Sequence, residues 1–229
     1  MKTGILTRTL VVLILGMSQI GYGANRYVAK GNPGAQWPYT SWAEAAPNIQ
    51  AAINAAANGD TVWVSNGVYD AGFVTNHPAG AALRTRVAVY KPITVRSVNG
   101  AAVTTIRGRQ PAGNTAVRCV YLAGGAKLVG FTLRKGGTRT SGAYSDTRGG
   151  GVYGDDRTSA ILTDCILADN AAYADGGGAY HGLLKRCKVQ RNSGNNGGGA
   201  AESTLLHCTV TSNNASWDGG GGLMSGFSN

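Results

Sequence analysis

Leucine, cysteine and asparagine recur at fixed places along the chain. Residues Leu162 to Asn170 (LTDCILADN), Leu184 to Asn192 (LKRCKVQRN) and Leu205 to Asn213 (LLHCTVTSN) each read L-x-x-C-x-[LV]-x-x-N, offset by 22 and then 21 residues. Leu128 to Gly136 (LVGFTLRKG) fits the same frame, with Phe131 in the cysteine column and Gly136 in the asparagine column. Each block is followed by a glycine triplet: Gly149 to Gly151, Gly176 to Gly178, Gly197 to Gly199 and Gly220 to Gly222. A period of this length is too short for a pair of helices and suits one coil of two or three short strands. The pattern therefore predicts stacked coils, an all-β parallel solenoid. Side chains alternate along a strand, so the cysteine and the apolar residue two places later are expected on one inward face. Asn170, Asn192 and Asn213 are expected to stack at a corner, their amides bonded in a ladder. The glycines supply bends and positive φ.

The front of the chain follows a different period. In Pro47 to Ala57 (PNIQAAINAAA), Ile49 and Ile53 stand four apart, the spacing of one helix face, and Asn58-Gly59 supplies a stop. A short helix there would cap the first coil. Before it, Lys2 and Arg8, the apolar run Leu10 to Leu15 with Met17, and Gly21-Tyr22-Gly23 have the layout of a signal peptide. The predicted organisation is a signal peptide at 1–23, an N-terminal segment with the capping helix at 24–60, and the stacked coils from 61 to 229. Ser228-Asn229 falls where a further repeat is due, which predicts a continuation or a partner chain at that end.

Composition sharpens this reading. Glycine makes up 36 of 229 residues, yet the regular Val, Ile, Leu and Tyr runs separate the chain from glycine-rich disordered sequences. The formal charge is +10, and without Lys2 and Arg8 the remaining 19 basic and 11 acidic side chains leave about +8, an excess that points an exported chain to polyanionic partners. Aromatic platforms do not interleave with the basic residues, so nucleic acid is not an expected partner. Four cysteines in an exported chain raise the question of disulfides. Stacked neighbours in a parallel sheet lie about 4.8 Å apart, slightly beyond the usual Cβ separation of a bridge. Cys165, Cys187 and Cys208 are therefore read as a buried column of free thiols, and Cys119 as unpartnered on an earlier coil. One cysteine per coil does not make a tetrahedral cage, so no metal site is expected.

The opening of the predicted mature chain carries a resemblance. Tyr27 to Gly34 (YVAKGNPG), Ser41-Trp42-Ala43, Ile49 to Ile53, Gly59 to Val62, Gly67-Val68-Tyr69, Ile93 to Gly100 (ITVRSVNG) and Leu128 to Leu133 resemble pectate-lyase-like right-handed β-helix proteins of bacterial envelopes. The glycine triplets and [LV]-x-x-N pairs are also similar to repeats of polymorphic outer-membrane proteins, which are autotransporter passengers. The resemblance implies an all-β, single-stranded right-handed parallel β-helix (a solenoid) with a short N-terminal capping helix. It also implies a secreted or cell-surface location in a bacterium. Activity does not follow from such a fold.

Two sets of residues are candidates for function. Between Asp70 and Asp146 the chain has no acid but carries Arg84, Arg86, Lys91, Arg96, Arg107, Arg109, Arg118, Lys127, Arg134, Lys135 and Arg139. Stacked like charges repel unless solvent or an anion relieves them. This face is read either as a groove for acidic polysaccharide or another envelope polyanion, or as a solvated surface. The segment Gly137 to Arg148, with Arg139, Tyr144, Asp146 and Arg148, is an insertion relative to later coils and the expected site of specificity. The proposed binding set is Arg84, Arg86, Arg96, Arg107, Arg109, Arg134, Lys135, Arg139, Tyr144 and Arg148.

The second set is catalytic. Asp155-Asp156 with His181-Gly182 resembles the Asp pair and Gly-His-Gly of β-helical polygalacturonases, in which two carboxylates serve as acid and base. Residue 180 is Tyr, Ser145-Asp146-Thr147 stands where Asn-Thr-Asp would, and no Arg-x-Lys follows. The favoured expectation is a non-catalytic polysaccharide-binding or adhesive passenger. The alternative is a lyase or hydrolase of uronate polymers, with calcium only in the lyase case. Asp175, Asn196 and Asp218, each just before the glycines, read as turn residues and not as a calcium ladder.

Overall fold

The structure is a computed structural model that describes residues 23–217 and 220–224 and the backbone of 227–228. Apart from Gly23, the segment read as a signal peptide lies outside the described residues, as does Asp218. Among the described residues the protein is mainly β, its strands arranged in parallel sheets, with one α-helix, α1 (Ile49–Ala55). No helix among the described residues is long and apolar enough to cross a membrane.

Three sheets take one strand each as the chain goes round. The first has eight strands, from Asn25–Val28 and Thr61–Val64 through Ile161–Thr163, Leu183–Lys185 and Thr204–Leu206 to Phe227–Ser228. The second has six, from Gly67–Tyr69 to Thr209–Thr211, and the third six, from Arg84–Val89 to Leu223–Met224. A two-stranded sheet, Ser193–Gly194 with Asn214–Ala215, marks an extra turn in the last circuits. The register is constant, so one residue type stacks on itself. Tyr69, Ile106, Leu133, Leu167, Val189 and Val210 form a single column along the second sheet. Ile106, Leu133, Leu167 and Val189 are fully buried, and each such side chain stabilises the fold by about 1.5–3 kcal/mol.

The helix forms where its period predicted. The Asn48 side chain accepts a hydrogen bond from the Ala51 amide at 2.9 Å, and Ile49, Ala52 and Ile53 are buried. Lys91 Nζ donates to the carbonyls of Ile53, Asn54 and Ala56 at 3.1, 3.1 and 2.7 Å. That side chain therefore closes the helix C-terminus and does not belong to the basic face. Parallel pairing begins earlier than expected, since Asn25–Val28 already pairs with Thr61–Val64 ahead of the helix.

The asparagine ladder is present. Asn170 Nδ2 donates to Asn192 Oδ1 and Asn192 Nδ2 to Asn213 Oδ1, both at 3.0 Å. Each amide also donates across the corner, to the carbonyls of Leu133, Leu167 and Val189. The third glycine of the triplets at 149, 176 and 197 faces this ladder. A Cβ on Gly178 would lie 2.4 Å from the Gly199 carbonyl oxygen and 2.9 Å from Asn192 Nδ2. Only the first glycine of the triplets at 149, 176 and 197 takes positive φ. Close approach, and not backbone freedom, is what the other two supply.

The cysteines are free thiols, but their setting differs from the expectation. Cys165, Cys187 and Cys208 sit at the bend between strands of the first and second sheets, each just after a residue with φ of 51–54° (Asp164, Arg186, His207). A second series at left-handed φ, Lys135, Asp169, Arg191 and Ser212, precedes the asparagine column. These bends are made by residues other than glycine. Cys119 lies in another column, on the third sheet, with its Sγ 3.6 Å from Asn170 Oδ1. A Cβ on Gly136 would lie 2.9 Å from that sulfur. The Gly150 carbonyl oxygen, 2.0 Å from the same Cβ position, and the Cys119 thiol together leave room only for glycine at 136.

Candidate functional site

The basic stretch divides into three groups. Arg86, Arg107, Arg109 and Lys135 line one open pocket of about 330 Å³ together with Asp70, Gly108 and Gln110. The geometry follows from the coil. Arg86 leaves the third sheet, Arg107 ends a strand of the second, and Arg109 and Lys135 stand at the turns leading from the second sheet toward the third. Arg86 Nε donates to the Arg107 carbonyl at 2.8 Å and its Nη1 to the Gly72 carbonyl, which fixes the guanidinium against the wall. Arg109 is held by paired backbone bonds with Val117 at 2.9 and 3.0 Å. Gln110 Nε2 donates to the carbonyls of Gly136 and Asp169 at 3.1 and 2.9 Å and anchors the floor.

Charge in this pocket is unbalanced. Its one acid, Asp70, is already paired with Lys30 at 3.2 Å, and that hydrogen bond holds its pKa below the usual carboxylate range. Arg107 and Arg134 are in-register partners on neighbouring strands, with backbones about 4.8 Å apart. Arg134 leans toward Asp169, with Nη2 3.8 Å from Oδ2. Arg107 and Arg109 are exposed and have no ion pair among the described residues. Four cations around a concave surface with one neutralised acid can hold a carboxylate, sulfate or phosphate.

The other arginines go elsewhere. Arg84 lies over the Phe73 ring at 4.6 Å and Arg96 over Trp63 at 5.7 Å, the latter on the outer face of the first sheet. Arg118 is completely buried. Its Nε donates to the Gly149 carbonyl and its Nη2 to those of Ser145 and Arg148. Burial pulls its pKa down to about 10 despite the nearby tyrosines and Asp146. It is an internal strut for the loop above it, and the basic face does not include it.

That loop is pinned down. Asp146 is buried and its carboxylate accepts from the amides of Leu83 at 2.8 Å and Ala143 at 3.1 Å. Arg139 Nε reaches only the Ser141 carbonyl, at 3.3 Å. Arg148 lies 3.5 Å over the Tyr144 ring and pairs with Asp175 at 2.8 Å. Tyr144 in turn bonds Tyr180 through the hydroxyls at 2.5 Å. The loop covers a tyrosine column, Tyr121, Tyr153 and Tyr180, which stacks in register on the outer face of the third sheet. This column was missed in the sequence, although a tyrosine stands two residues after two of the glycine triplets and marks it.

The catalytic candidates follow the C-terminal ends of two interior strands of the same sheet, Val152–Gly154 and Ala179–Tyr180. Asp155 Oδ2 accepts from the Tyr121 hydroxyl at 2.7 Å. Asp156 folds back on its own turn, Oδ1 accepting from the amides of Thr158 and Ser159 at 2.7 and 2.6 Å, and Oδ2 from the Ser159 hydroxyl. Burial would raise its pKa, but these bonds outweigh it and hold the carboxyl at about 2. His181 stacks on Tyr180 at 4.4 Å. Burial lowers its pKa, and its Nδ1 is buried without a partner. The two carboxylates are therefore directed to different partners, one a phenol and the other a turn. Among the described residues no group of three or more acids, cysteines or histidines is placed to hold a metal ion. Asp175 bonds Asn196 at 2.9 Å and Arg148.

Comparison with family models, with curated proteins and with solved structures gave no match.

Proposed function

We propose that this chain is an exported right-handed parallel β-helix that binds acidic polysaccharide, or another envelope polyanion, without transforming it. The observation that carries this reading is the convergence of Arg86, Arg107, Arg109 and Lys135 on one pocket whose single acid is neutralised by Lys30. The return of the chain to each of three parallel sheets supports the helical fold, and the basic start and apolar run of residues 1–23 support export. The paired commitments of Asp155 and Asp156 favour binding over hydrolysis.

Affinity electrophoresis tests the proposal. The mature chain should be retarded in gels containing polygalacturonate and not in gels containing dextran. Retardation should fade as salt is raised, because exposed charges are screened within about 10 Å at 0.1 M. The double variant Arg107→Ala/Arg109→Ala should migrate as if no polymer were present. Equal retardation of the variant and the parent would place binding elsewhere, and no retardation of the parent would end the reading.

A further inference from the structure

The basic pocket has an apolar neighbour. A cavity of about 490 Å³ lies between the start of α1, the segment Tyr69 to Val74 and the third sheet, and its walls include Pro47, Ile49, Tyr69, Phe73, Val74 and Val87. Ile49, Tyr69 and Val87 are the buried floor, while Phe73 remains half exposed. Asp70 and Arg86 line both this cavity and the basic pocket. Arg86 is the partition: Nε and Nη1 are bound to the carbonyls of Arg107 and Gly72, one on each side, and Nη2 makes no hydrogen bond among the described residues. Lys30 and Asp70 add an ion pair to the lining of the apolar cavity. A saccharide chain has no need of an apolar chamber beside its charged groups. An anion with an attached hydrocarbon fits both halves at once, with the charge among Arg86, Arg107, Arg109 and Lys135 and the chain against Phe73 and Val87.

We infer that the two pockets form one site for an anionic amphiphile, a carboxylate or phosphate head carrying a hydrocarbon chain. The inference rests on the basic pocket being an anion site and adds an apolar group to its ligand. The cavity is roomy enough for an octyl chain, and each methylene taken out of water strengthens binding by about fourfold.

Ligand-observed NMR titrations of the mature chain with glucuronate, octyl glucuronide, octyl glucoside and octyl phosphate, all below micelle formation, test this. Octyl glucuronide should bind about tenfold or more tighter than glucuronate, since burial of two methylenes already suffices, and clearly tighter than octyl glucoside. Ala71→Trp, which fills the cavity from an exposed position, and Phe73→Ser, which removes its outer wall, should each erase the gain from the chain and leave glucuronate binding unchanged. Arg107→Ala should weaken all three anions and leave octyl glucoside alone. A stronger response to octyl phosphate than to octyl glucuronide would support the site with a lipid-like ligand, and the reverse order would support it with a glycoside. If the octyl chain adds less than threefold while Arg107→Ala still weakens glucuronate, the amphiphile site is overturned and the anion pocket stands. If glucuronate and octyl glucuronide bind no better than octyl glucoside, both readings fall.

Discussion

Removing one rung of the asparagine ladder should cost more than any surface change on this protein. Asn192 is 1% exposed. Its Nδ2 donates to the Leu167 carbonyl at 2.9 Å and to Asn213 Oδ1 at 3.0 Å, and its Oδ1 accepts from the Asn170 amide and from Asn170 Nδ2, both at 3.0 Å. Asn192→Ala removes these four bonds and leaves two donors of Asn170 buried without acceptors. An orphaned buried donor costs about 1–3 kcal/mol, so two of them should cost about 4 kcal/mol. Asn213, which is half-buried, should lose less on the same substitution, because water can reach the groups left behind. Urea denaturation followed by far-ultraviolet circular dichroism measures both. Lys188→Ala, an exposed change on the adjacent strand, is the control and should stay within about 0.5 kcal/mol of the parent. An Asn192→Ala cost within about 1 kcal/mol of that control would show that the ladder is incidental to stability.

Three further outcomes are expected. Gly178→Ala places a methyl 2.4 Å from the Gly199 carbonyl oxygen and should lower stability by about 1–3 kcal/mol by forcing neighbouring coils apart, again read by urea midpoint. Asp156, held at about 2 against an ordinary 3.8, lends stability that is complete above the unfolded pKa and lost as pH falls from about 4 to about 2. Asp156→Asn should flatten the stability profile over that window, and an unchanged slope would contradict the turn bonds. Native protein should react with a thiol reagent first at half-buried Cys208, whereas fully buried Cys119 should react only on unfolding, because access decides which thiol the reagent reaches.

Features that repeat were legible in the sequence, and features set by contacts between coils were not. The L-x-x-C-x-[LV]-x-x-N frame exposed the inward apolar column and the asparagine ladder, because both follow from period and side-chain alternation. The left-handed bends at Asp164, Arg186 and Arg191 left no mark, since nothing in those residue types demands positive φ; the coil imposes it. In turn the bends bring Arg186 onto Asp164 and Arg191 onto Asp169, both in the preceding coil, at 2.8 and 2.9 Å. Arg118 could not be separated from its neighbours by composition, because its burial depends on a loop that folds back over it. The basic pocket was half legible. Arg86, Arg107, Arg109 and Lys135 were all candidates, but only the turns of the chain distinguish them from Arg84 and Arg96.

The distribution of acids along the stack gives the pocket its meaning. In the later circuits arginines meet carboxylates of other circuits: Arg148 with Asp175, Arg186 with Asp164 and Arg191 with Asp169 one circuit away, and Arg157 with Glu202 two away. Those circuits neutralise themselves. The earlier ones do so less, because no acid occurs between Asp70 and Asp146: of Arg107 and Arg134, stacked at the same register, only Arg134 reaches a carboxylate, that of Asp169 at 3.8 Å. Like charges so arranged are destabilising unless something outside the chain relieves them. The fold already contains the means to pair its own arginines and uses it throughout the later half. Arginines left unpaired around a concave surface are therefore the place to look for a bound anion, and the apolar cavity across Arg86 is the place to look for what that anion carries.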